Sequence, residues 1–144
     1  MMSYHFIDDA FTADIGFIAV GNSAEEMIMA AAAATIKVMV DNPQDIARVV
    51  SRPIRLEAVS LEMLLFDLLG ELIFYKDAEE LLLVVERVTL GRREDVFVLT
   101  ADARGEAIDR HRHRLIVDVK AVTMHCFKVE ETPEGWSATI VLDI

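Results

Sequence analysis

Two segments of this chain are helical in pattern and apolar on nearly every face, so each must be covered on more than one side. The first runs from Ser23 to about Val40. Ser23 with Glu26 three residues on is a capping-box signature, and the alanine-rich stretch that follows leaves little polar surface. Asp41-Asn42-Pro43 ends it, because proline has no backbone N–H to donate. The second opens on Ser60 and spaces Leu61, Leu64, Leu65, Leu68, Leu72 and Lys76 at helical intervals over 61–76. Phe66, Leu69, Ile73 and Phe74 cover much of the remainder. Neither segment reaches the roughly 20 uninterrupted apolar residues of a membrane span; Lys37, Asp67 and Glu71 break them.

The rest of the chain reads as strand. Tyr4–Ile7 is a short strand, and Asp14–Val20 alternates, with Ile15, Phe17 and Ala19 on one side. Pro53–Val59 alternates through Ile54, Leu56 and Ala58. Leu82–Leu90, Val96–Ala101, Leu115–Glu131 and Trp136–Ile144 follow, separated by turns at Gly91–Asp95 and Pro133-Glu134-Gly135. Two buried helices among many short strands imply an α+β sandwich, the helices packed on a mainly antiparallel sheet. At 144 residues, with no repeat, linker or low-complexity tract, the expectation is a single domain over 1–144.

The chain is acidic, with 25 Asp and Glu against 14 Lys and Arg, a net charge of −11. Nucleic-acid affinity comes mainly from Lys and Arg neutralising phosphates, so little or no direct binding to RNA is expected. A cation, or a protein partner with a basic face, suits this charge better. One cysteine, Cys126, excludes an internal disulfide and reads as a small core residue. The N-terminal MMSYHFIDD lacks the basic and apolar regions of a signal peptide. A cytoplasmic location is expected.

The C-terminus is the most unusual stretch. Alternation runs through Trp136, Ala138, Ile140, Leu142 and Ile144 to the last residue, where chains ordinarily fray. Asp143 and the terminal carboxylate of Ile144 are then two anionic oxygen donors on a fixed element. If Asp14 lies nearby, three carboxylates converge, and such a cluster calls for a hard cation with oxygen ligands, Ca²⁺, Mg²⁺ or Mn²⁺. Local sequence alone also allows Asp14 to be a turn or capping aspartate, and Asp143 to be solvated on an edge strand.

Five other positions stand out. Asp67 and Glu71, four apart on the second helix, share a face; they form either the lip of a polar site or a solvated stripe. The segment 109–114, Asp-Arg-His-Arg-His-Arg, reads first as a solvated loop, with Arg112 and His113 as its candidates for phosphate or partner contact. Lys120 is the lone cation in Val119–Thr123, placed either beside the carboxylates or on the wet side of the sheet. No phosphate-binding glycine loop, zinc-type Cys/His spacing or nucleophile elbow is present, which points away from an enzyme.

Taken in order, these pieces resemble the archease family: TADIGF at 12–17, LLFDLLGELIFYKD at 64–77, GEAID at 105–109, Arg112-His113, VKAVTMH at 119–125 and VLDI at 141–144. The resemblance spans about Tyr4 to Ile144. It implies a small α+β accessory protein that assists the GTP-dependent tRNA-splicing RNA ligase, promoting its guanylylation and multiple turnover. It further implies a divalent-cation site, calcium first, with Asp14, Asp143 and the Ile144 terminal group as ligands and Lys120 as a functional lysine beside them. Asp67 and Glu71 match the acids of the family's second-helix motif. Two departures are Phe11, where the family usually has histidine, and Leu68, where tryptophan usually follows the aspartate. The alternatives are a metal-dependent hydrolase built on Asp14, Asp143, Asp67 and Glu71, and a general chaperone with exposed apolar surface.

Overall fold

The computed structural model describes residues 2–7 and 14–144; Phe11, Thr12 and Ala13 lie outside the described residues. The elements run β1 (Ser3–Ile7), β2 (Asp14–Gly21), α1 (Ala24–Met39), a short 3₁₀ turn (Pro43–Asp45), β3 (Val50–Ala58), α2 (Leu61–Ala78), β4 (Leu81–Arg93), β5 (Val96–Ala107), β6 (Ala121–Thr132) and β7 (Gly135–Asp143). The strands form two sheets, one ordered β1-β2-β7-β6 and the other β3-β5-β4, and every pairing is antiparallel.

The two helices lie between the sheets. α1 packs on β1, β2 and β7 of the four-stranded sheet and on β4 of the other, while α2 packs on β6 and on β3, β4 and β5. A helix covered on two sides needs apolar residues all round, which is why neither shows a clean polar stripe. In α1, Met27, Ile28, Ala30, Ala31, Ala32, Ala34 and Ile36 are all buried; the alanines let two sheets approach one helix closely. In α2, Leu64, Leu65, Leu68 and Leu69 are fully buried, each contributing roughly 1.5–3 kcal/mol of transfer free energy.

Both helix starts follow the expected serines. Ser23 Oγ accepts from the Glu26 N–H at 3.1 Å, and Ser60 Oγ from the Met63 N–H at 3.2 Å. The Glu26 carboxylate closes on the Asn22 N–H, at 2.9 Å, one residue earlier than the reciprocal bond of a capping box.

Two sequence expectations are corrected. The strand expected over Leu115–Glu131 begins only at Ala121. Residues 108–120 instead form an irregular connection held by polar contacts to distant segments: Asn42 Nδ2 donates to Arg112 O at 3.1 Å, and Asn42 Oδ1 accepts from the Arg114 N–H at 2.9 Å. Cys126 is exposed rather than core. The β6–β7 register breaks between Thr123 and Lys128, so Met124, His125 and Cys126 leave the ladder and face solvent. Cys126 takes φ +56° there, the left-handed region that non-glycine residues seldom adopt.

Candidate functional site

Asp14 opens β2 and Asp143 closes β7, and the antiparallel register sets them directly opposite one another. Side chains alternate along a strand. Phe17 and Ile140, each three residues away, belong to the core beneath the helices. Asp14 and Asp143 therefore share the face of the sheet turned away from the helix layer. Opposed residues on one face have Cβ atoms about 4.5–5.5 Å apart, and like charges in that position repel. Both aspartates are half-buried. Among the described residues, neither carboxylate has a hydrogen-bond or ion-pair partner.

The third neighbour of this rung is the start of β6. Ala121 pairs with Asp143, and the Lys120 N–H donates to Asp143 O at 2.8 Å. Lys120 is thus held by its main chain beside Asp143 while its side chain is exposed. Ile144 follows directly and is half-buried. The structure brings Asp14, Asp143, Ile144 and Lys120 together from three chain segments that sequence alone leaves unconnected.

This donor set fits a hard divalent cation. Two facing carboxylates and a main-chain oxygen supply oxygen ligands, the class Ca²⁺ and Mg²⁺ prefer, and no cationic side chain among the described residues occupies their place. Among the described residues, no three His, Cys, Asp or Glu side chains gather into a cluster, so protein side chains offer two ligands and leave the rest of a coordination sphere to main-chain oxygens, water or a bound group.

Asp67 and Glu71 sit elsewhere. They line an open cleft of about 450 Å³ with Leu56, Phe66, Gly70 and Phe74, and neither Asp14 nor Asp143 borders it. The four acids of the hydrolase alternative are not assembled into one site.

Arg112 and His113 also have a place of their own. The expected solvated loop over 109–114 is in part a buried polar hub: His113 is only 2% exposed. Its Nδ1 accepts from the Asp109 N–H at 2.9 Å, so the ring proton resides on Nε2, which donates to Glu106 Oε2 at 2.9 Å. The same Glu106 oxygen accepts from the Ala47 N–H at 2.8 Å, and Arg112 binds the other. Chiefly the Arg112 guanidinium, helped by the Ala47 N–H and His113 against the opposing effect of burial, lowers the Glu106 carboxyl to about 2. His113 therefore has no exposed nitrogen for a phosphate. The local sequence gave no sign of this hub, because its partners lie up to 59 residues away.

One functional-looking residue escaped sequence reasoning. Lys76 fits the apolar spacing of α2 and is 8% exposed. Its Nζ donates to Asp118 Oδ1 at 2.5 Å and to Val119 O at 2.7 Å, with Asp77 Oδ1 also at 2.5 Å. Burial opposes its charge, but the Asp118 and Asp77 carboxylates outweigh that and hold the ammonium above its ordinary value. A cation at a core position of a helix was the available signal.

Comparison with known proteins identifies the fold and the family. The family model described as the Archease protein family (MTH1598/TM1083) matches residues 4–144. Protein archease of Pyrococcus furiosus is 37% identical over 134 residues, covering 92% of this chain and 94% of its own. That of Methanothermobacter thermautotrophicus is 33% identical over 144 residues, with full coverage of both. The solution structure of Methanobacterium thermoautotrophicum protein 1598 superposes with a TM-score of 0.84 at 32% identity, covering 98% of each chain. The crystal structure of a Thermotoga maritima archease, described as a possible chaperone, shares the fold at a TM-score of 0.59 and 19% identity, covering 97% of this chain and 99% of that one. With a family match over nearly its whole length and relatives above 30% identity, the chain belongs to the archease family.

Proposed function

We propose that this chain is a non-enzymatic, cytoplasmic accessory protein of the GTP-dependent tRNA-splicing RNA ligase, which it helps to become guanylylated and to turn over. In this reading Asp14, Asp143 and a main-chain oxygen of Ile144 hold a divalent cation, Ca²⁺ first, with Lys120 as the functional cation beside them. The observation that carries the reading is the Asp14–Asp143 rung: two opposed carboxylates on the outer face of a sheet, with the Lys120 main chain bonded to the same residue.

Family membership supports the choice of partner. Charge supports it too: a ligase must present a basic surface to RNA, and a chain of net charge −11 is attracted to that surface while being repelled by RNA itself. A cation bound at the rung supplies positive charge that offsets the two carboxylates and attracts phosphate oxygens. The chain's own residues do the rest: the sheet fixes both aspartates, and exposed Lys120 offers an ammonium to the same anion.

Calorimetric titration with Ca²⁺ and with Mn²⁺ tests the site. The wild-type protein binds and Asp143→Asn does not, with the fold unchanged by circular dichroism. Equal binding by the two proteins removes the rung from the reading.

A further inference from the structure

We propose that Lys76 is a positioning residue for the Asp14–Asp143 rung, clamping the segment that delivers Lys120 to Asp143. This rests on the rung being the functional site.

One peptide group joins the two elements. Between Val119 and Lys120, the carbonyl accepts from Lys76 Nζ at 2.7 Å, and the N–H donates to Asp143 O at 2.8 Å. A planar peptide bonded at both ends, to a helix on one side and to β7 on the other, has its orientation fixed. Val119 is fully buried, and Lys120 beside it is exposed.

Packing alone does not hold this segment. Residues 116–120 have no ladder partner, and their other main-chain tie is the Ile116 N–H to Met39 O at 2.8 Å. On one side lies a cleft of about 450 Å³, bordered by Met39, Lys76, Asp77, Ile116, Val117 and Asp118. The segment crosses beside open space, and the Lys76 ammonium bridges to it from the end of α2.

The ammonium is also fully used. An ammonium has three donors, and here Asp118, Asp77 and Val119 O supply three acceptors. A charge at a core position of a helix costs stability unless paired, and an apolar residue would cover the core equally well. What an apolar residue cannot do is bond the Val119 carbonyl. Asp118 and Asp77 are largely exposed, so removing Lys76 strands no buried charge, and Lys76→Met is a tolerable change.

The experiment compares wild type with Lys76→Met by amide hydrogen exchange read by NMR, alongside Ca²⁺ titration. The clamp predicts that the Lys120 amide exchanges at least about tenfold faster in the variant, while amides of α1 exchange as in wild type, and that Ca²⁺ binding weakens. Unchanged exchange at Lys120, or an equal rise at every amide, overturns the clamp, the second because it reports only global stability. If Lys76→Met does not fold, Asp118→Asn is measured in the same way. It keeps the lysine but removes a charge that holds it, and a smaller, still local, rise at Lys120 is expected; no rise overturns the clamp. If the wild-type protein binds no Ca²⁺, the cation reading fails, and the exchange data still decide the clamp.

Discussion

Replacing Glu106 by glutamine changes one atom type in a buried hub, and the structure sets what that costs. The Glu106 carboxylate receives Arg112 on one oxygen and both His113 Nε2 and the Ala47 N–H on the other. All of these groups donate. Glutamine keeps one acceptor oxygen but turns an NH₂ toward a donor, so at least one contact becomes repulsive. For the wild type, a carboxyl moved from an ordinary 4.5 to about 2 corresponds to about 3 kcal/mol of stability. The sign follows from the direction. A lowered folded-state value means that the contribution is complete above pH 4.5 and disappears as the pH falls toward 2. Urea unfolding of both proteins at pH 7, 4 and 2.5 reads the effect, and taking their difference cancels the titrating groups that do not contact Glu106. Glu106→Gln is expected to be less stable by about 2–3 kcal/mol at pH 7, with the gap narrowing through pH 4 and nearly closed at 2.5. A gap that stays constant with pH, or one below about 0.5 kcal/mol at pH 7, refutes the assignment of charge to this hub.

Three further outcomes are expected. Leu68→Ala, at a fully buried position, lowers stability by roughly 2–5 kcal/mol in chemical denaturation; a loss under 1 kcal/mol contradicts its place in the core. Without divalent cations, Asp143→Asn raises stability by about 0.2–1 kcal/mol, the scale of repulsion between like charges directly opposed on neighbouring strands. Added Ca²⁺ reverses that order, because only the wild type gains in Tm; a cation-independent ranking contradicts the paired-carboxylate account. Fluorescence anisotropy with single-stranded RNA at physiological salt shows no appreciable binding to the protein alone, and tight, salt-sensitive binding overturns the charge argument.

The sequence made the helices legible because their constraints are local. Ser23 and Ser60 cap within three residues, and leucine spacing alone marks the buried positions of α2. That both helices are apolar all round announced cover on two sides, which the structure supplies as two sheets. The 108–120 connection was illegible for the opposite reason. Its residues alternate well enough to resemble a strand, but its shape is set by Asn42 and Lys76 reaching it from other parts of the fold and by Glu106 just before it. Cys126 was misplaced because a break in register carries no local mark: the bulge sets 124–126 outside the ladder whatever their polarity. Asp14 and Asp143 were visible as carboxylates at strand ends, and only the β2–β7 register makes them a pair. Asp67 and Glu71 were correctly placed on one helix face, whereas whether they shared a site with that pair depended on the topology, which separates them.

The most direct test of the account is a guanylylation assay on a cognate RNA ligase, with GTP and Ca²⁺ present, comparing sub-stoichiometric wild-type protein with Asp143→Asn that is fully folded at the assay temperature. The account predicts that the wild type raises the guanylylated fraction and supports repeated turnover, and that Asp143→Asn leaves the ligase at its unassisted level. Equal activation by the two proteins, or none by the wild type, contradicts it.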